Sequence, residues 1–128
     1  MKTKQLLSAA VALGVLAGQV LAAGMMKPAG SMKSTTITGE VVDTACYIKM
    51  GAKGAGHKEC AANCAKAGIP LGILDAKGNL YVAVSDKDIE PGNLKLMGHE
   101  AQQVTVTGKV FNKGGVRIVS VESVEAAK

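Results

Sequence analysis

The residues most able to do chemistry in this chain are Cys46, His57, Cys60 and Cys64, arranged as Cys-x13-Cys-x3-Cys with the histidine three residues before the second cysteine. On a helix, His57, Cys60 and Cys64 stand at i, i+3 and i+7 and project from one face. Three thiolates and one imidazole make a complete tetrahedral set for Zn(II), and thiolates alone hold Cu(I). Met50 offers a thioether as an extra soft ligand. A structural disulfide is the competing use. Pairing Cys46 with Cys60 or Cys64 closes a loop of about 15 residues, which contributes roughly 3 kcal/mol in the chain-entropy model. A Cys60–Cys64 bond within one helix fits disulfide geometry poorly. Either long pairing leaves one thiol over, whereas a metal site uses all three. A working redox thiol is the third reading, without the Cys-x-x-Cys spacing that favours exchange.

Other chemistry finds little support. There is no Gly-x-Ser-x-Gly, no His-Glu-x-x-His and no Cys-x-x-Cys-His for haem attachment. The glycine-rich run Met50 to Gly56 lacks the Gly-Lys-Ser/Thr ending of a phosphate loop and reads as a flexible connection. Asp43, Asp75, Asp86 and Asp88 suggest no ligand run, and turn chemistry accounts for Asp86-Lys87-Asp88. His99 reads as a solvated loop histidine. With no persuasive catalytic group, the chain reads as a non-enzymatic protein.

The elements that must position the cluster come next. The chain has 128 residues, 48% hydrophobic and only 2% aromatic, with 16 glycines; this suits one small β-rich domain with tight turns. Alternation from Thr36 through Val42 predicts a strand running toward Cys46 and Tyr47. His57 to Ala67 is alanine-rich and predicts a helix, with Gly68 placed to end it in a left-handed turn and Pro70 preventing continuation. Leu71 to Asp75 and Leu80 to Ser85 follow as apolar runs, with Leu80, Val82 and Val84 sharing a face. Val104 to Val110 and Val116 to Val124 form a hairpin around Asn112 to Gly115. The phase change between Val116/Ile118 and Val119/Val121 suggests a bulge or a strand covered on both faces.

Five strands in so short a chain predict a closed or nearly closed barrel, since closure removes exposed edges. Gly39-Glu40-Val41-Val42 and the final hairpin, Gly108-Lys109-Val110 through Gly114-Gly115 to Ile118 and Val124, resemble the opening strand and closing pair of the OB-fold. The fold class expected is therefore mainly β: a small five-stranded OB-like barrel over residues 36–125, with one short helix inserted between strands 1 and 2. The scarcity of aromatic residues speaks against the nucleic-acid binding that the OB-fold resemblance would imply. The Cys-Tyr strand end and the His-x-x-Cys-x-x-x-Cys helix are also similar to small exported bacterial proteins, a resemblance that implies no particular activity.

Residues 1–22 have the layout of a secretory signal: two lysines, an uncharged Leu/Ala/Val-rich run, then small residues, with cleavage expected after Ala22 or Ala23. Residues 23–35 read as a flexible leader, whose Met25, Met26 and Met32 are soft-metal donors but more simply linker composition. Loss of Lys2 and Lys4 takes the formal charge from +5 to +3, with the cations scattered singly, so no nucleic-acid partner is expected. The expectation is a periplasmic or secreted protein with no stable membrane span after cleavage. It binds Zn or Cu, or serves as an accessory partner of an envelope protein in metal or redox handling. The alternatives are a disulfide-stapled binding module and a thiol redox protein.

Overall fold

The computed structural model describes residues 32–128. The expected signal peptide and most of the leader lie outside the described residues. The chain is mainly β, with strands β1 (Thr35–Asp43), β2 (Leu71–Asp75), β3 (Leu80–Ser85), β4 (Gln103–Lys113) and β5 (Val116–Ala126). Between β1 and β2 lie two α-helices, α1 (Thr44–Met50) and α2 (Lys58–Lys66), joined through a 3-10 turn at Ala55–His57; a second 3-10 turn, Gly92–Lys95, follows β3. The expected single helix is thus corrected to two, because β1 stops at Asp43 and Cys46 and Tyr47 turn into α1 instead of ending the strand. No helix among the described residues is long and apolar enough to cross a membrane.

The strands form a ring in the order β1-β2-β3-β5-β4, closed by antiparallel pairing of β4 with β1. Only β3 and β5 run parallel, with Val82 opposite Ile118. Closure leaves each strand with two neighbours and so no open edge. Ile37, Val41, Leu71, Ile73, Val104, Val106, Val119 and Val121 fill the interior. β3 contributes Ala83 and Tyr81, so the face shared by Leu80, Val82 and Val84 is the outer one.

The hairpin turn works as its glycines suggest. Gly114 and Gly115 have φ of 60° and 79°, the left-handed values that a tight turn between right-twisted strands requires. The phase change in β5 has a simpler origin than a bulge beside Ile118. Val116 is exposed and Ile118 half-covered on the outer face, while Val119 and Val121 point inward. The irregularity lies further on, where Thr107 pairs with Ser123 but Gly108 with Val121, leaving Glu122 as the extra residue. Lys95 Nζ donates to the carbonyls of Val121 (2.8 Å) and Glu122 (3.1 Å), satisfying the bulged backbone. Gly108 is required there, because a Cβ would stand 2.2 Å from the Ser120 carbonyl oxygen.

Candidate metal centre

Each side chain of the cluster is placed by a local device. Asp43 ends β1 and caps α1: its Oδ1 accepts from the amides of Ala45 (2.9 Å) and Cys46 (3.3 Å). A short acidic side chain at this position satisfies amides that a helix start leaves without partners. Gly51 ends α1 in the left-handed region at φ 69°, its amide donating to the Tyr47 carbonyl at 2.8 Å. The tight start and stop turn α1 back on the strand and present Cys46 toward α2.

α2 begins after His57 and ends as its sequence predicts. Gly68 has φ 91°, its amide donates to Ala65 and the amide of Ile69 to Cys64, the paired bonds of a Schellman ending. The inward stripe of α2 is not the predicted one of imidazole and thiols. Ala61 and Ala65 are the buried pair, with Ala65 in the main core, while His57 and Cys64 flank them and Cys60 is exposed. Alanines win because only a short side chain lets the helix backbone lie close against the ring. The thiol face is thereby turned sideways, toward α1.

Two further side chains fasten this insertion. Thr44 donates through both its amide (3.1 Å) and its hydroxyl (2.8 Å) to the Pro70 carbonyl, tying the first residue of α1 to the approach to β2. Asn93 is buried and fully used: its Oδ1 accepts from the Leu71 amide at 2.7 Å, and its Nδ2 donates to the carbonyls of Ile69 (2.7 Å) and Ala65 (3.3 Å). One amide side chain therefore clamps the end of α2 to the start of β2. Nothing in the local sequence pattern distinguishes Asn93 from an ordinary loop asparagine.

The donors converge in two triads that share Cys46. The donor atoms of Cys46, His57 and Cys60 lie within 4.8 Å of one another, as do those of Asp43, Cys46 and Cys64. Of the four residues expected from spacing, Cys46 stands with His57 and Cys60 in one triad and with Cys64 in the other, where the structure adds Asp43. That residue is fully buried, and its Oδ2, which no hydrogen-bond partner reaches, stands 3.9 Å from an equally unpartnered and buried His57 Nε2. In sequence Asp43 is one of several scattered carboxylates, and its distinguishing signal is its place three residues before Cys46, where a helix cap belongs. Met50 is 70% exposed at the end of α1. His99 is half-buried instead of solvated, and it belongs to neither triad.

All three cysteines are free thiols, so the expected disulfide is not formed in this structure. The acidity of Cys46 and Cys64 reflects the buried carboxylate. The Asp43 side chain beside it, aided by desolvation, pushes the Cys64 thiol up to about 12, and the same neighbour raises Cys46. Burial acts to raise the Asp43 carboxyl, but the thiols of Cys46 and Cys64 and the capped amides outweigh it and hold its pKa down. In the metal-free Asp43 triad an ionised carboxylate therefore stands beside the protonated thiols of Cys46 and Cys64. A divalent cation inverts this balance, since its charge favours every donor in its deprotonated form.

A buried carboxylate, a buried imidazole nitrogen and sulfurs that can ionise are together a donor set that fits a thiophilic metal ion. Comparison with protein families, with curated proteins and with solved structures finds no match for the chain, so this geometry stands as the basis for a functional reading.

Proposed function

We propose that this is an exported, non-enzymatic protein of OB-like barrel architecture that binds a thiophilic metal ion in the insertion between β1 and β2. Cys46, His57, Cys60 and Cys64 supply the ligands, with Asp43 as a fifth donor or as the partner that orients His57. Zinc suits the mixed sulfur, nitrogen and oxygen set, and Cu(I) is its soft competitor. The observation that carries the reading is the convergence of the three sulfurs with His57 and the buried Asp43 carboxylate in two triads that share Cys46, with Asp43 Oδ2 3.9 Å from His57 Nε2. A packed interior does not leave such atoms unsatisfied without cost, and a cation held in either triad engages one of the two.

In this reading the protein works in the envelope, as a metal-binding or metal-handling accessory factor. The 3-10 turn after β3 occupies the place where OB-folds carry their helix, which supports the OB-like description.

Metal analysis of the purified reduced protein, followed by titration with zinc and with Cu(I), tests the reading. About one bound ion per chain is expected, with loss of free-thiol reactivity on binding. Thiols that remain equally reactive with and without either ion would overturn it.

A further inference from the structure

The three sulfurs differ in access, and metal binding alone gives no reason for the difference. Cys60 is exposed on a shallow groove lined also by Glu59, Asn63, Cys64 and Ile69, whereas Cys46 and Cys64 are half-buried. Cys46 is common to both triads, and its Sγ lies within 4.8 Å of the Sγ atoms of Cys60 and of Cys64. A disulfide needs its sulfurs about 2 Å apart, a gap that rotation of two side chains and a small adjustment of the seven-residue α1 can close. Cys60 and Cys64, one turn apart on α2, have parallel side-chain directions that oppose such a bond.

We propose that Cys60 is a thiol–disulfide exchange site for small-molecule disulfides and that Cys46 resolves the adduct, so that oxidation and metal binding are alternative states of one centre. Cys60 attacks one sulfur of a disulfide such as oxidised glutathione, forming a mixed disulfide and releasing one glutathione. Cys46 then attacks the Cys60 sulfur, forming the Cys46–Cys60 bond and releasing the second glutathione. The two protein sulfurs are oxidised by two electrons and the small disulfide is reduced by the same two. In the metal-free chain the two thiol protons end on the two glutathione molecules. Bound zinc leaves as the ion, because both triads lose Cys46, and Cys64 remains a free thiol. The release of metal rests on the metal-binding reading; the exchange step rests on geometry alone.

The test exposes the reduced full chain, with and without one equivalent of zinc, to oxidised glutathione. Disulfides are mapped by non-reducing peptide mass spectrometry, and released zinc is followed with a chromogenic chelator. A transient adduct at Cys60, then a Cys46–Cys60 bond with Cys64 still alkylatable and zinc released in step, is expected. Cys60→Ser, at an exposed position, should abolish the adduct and slow oxidation of Cys46 in the zinc-free chain by about tenfold or more. A first adduct at Cys46 or Cys64, a Cys60–Cys64 bond, or zinc retained after the Cys46–Cys60 bond forms overturns the proposal. A chain that takes up neither zinc nor Cu(I) yet forms the Cys46–Cys60 bond upholds the exchange site and overturns the metal-binding reading instead.

Discussion

The β4–β5 hairpin and the insertion between β1 and β2 are held by different physics. The hairpin pairs ten registered positions and buries Val104, Val106, Val119 and Val121 completely. Its stability comes from apolar area and a hydrogen-bond ladder interrupted only at the Glu122 bulge, and it needs no ligand. The insertion contributes only Ala61 and Ala65 to the buried apolar set among its helical residues, and instead buries a carboxylate and a threonine. It is fastened at a few polar points: Asp43 at the cap, Thr44 on Pro70, and Asn93 across Ala65, Ile69 and Leu71. A segment with so little apolar burial opens at lower free energy than the sheet it sits on. The difference teaches where a bound ion would register its effect: in the insertion, which lacks a core of its own, and hardly at all in the hairpin.

Four changes break or sharpen this contrast. Cys46→Ser removes the sulfur shared by both triads, so zinc affinity should fall by more than about a hundredfold, the upper end for loss of a mere outer partner. Competition against a chelator of known affinity checks it, while urea denaturation of the metal-free protein should scarcely change. Val106→Ala acts on the other region. It removes two methyl groups from a fully buried position, which should cost about 2 kcal/mol in urea unfolding, with zinc affinity held within about twofold.

Asn93→Ala tests the join between the regions. It strands the buried Leu71 amide, so a loss of about 2 kcal/mol is expected, and zinc affinity should fall with it because α2 loses its anchor. A loss of stability with unchanged affinity would show that the cluster does not depend on the clamp. The smallest effect belongs to Asp75, whose carboxylate is held below its usual pKa by the Asn79 side chain and by the amides of Asn79 and Lys77. A depressed carboxyl contributes stability above its unfolded pKa of 3.8 and loses it as pH falls through the lower folded value. Asp75→Asn should therefore be slightly less stable than the parent near neutral pH, with the gap closing in acid, as read by thermal unfolding across that range.

Period and turn chemistry carried most of the architecture. The alternation of Val104, Val106 and Gly108, the Gly114-Gly115 turn and the Gly68-x-Pro70 stop each act through near neighbours, so they were legible without the fold. The convergence of Cys46 with the histidine and the other two thiols was legible as well, because the intervening chain is short enough to fold back. Two features were not legible locally, for one reason. The hydrophobic pattern does not reveal that β1 must end at Asp43, nor that α2 rests on alanines and not on its thiol face; both depend on how closely the insertion approaches the ring.

The amino-acid sequence by itself determined which atoms are present to bind a soft ion and roughly how far apart along the chain they stand. It also determined the strands, since residue alternation and glycine placement act locally. Tertiary structure alone decided that Asp43 joins the sulfurs, that Asn93 clamps the helix carrying two of them, and that Cys60 faces solvent while Cys46 sits between both triads. These depend on contacts between segments far apart in sequence, and burial, which makes an unpartnered carboxylate costly and a thiol reluctant to ionise, exists only once the chain has packed.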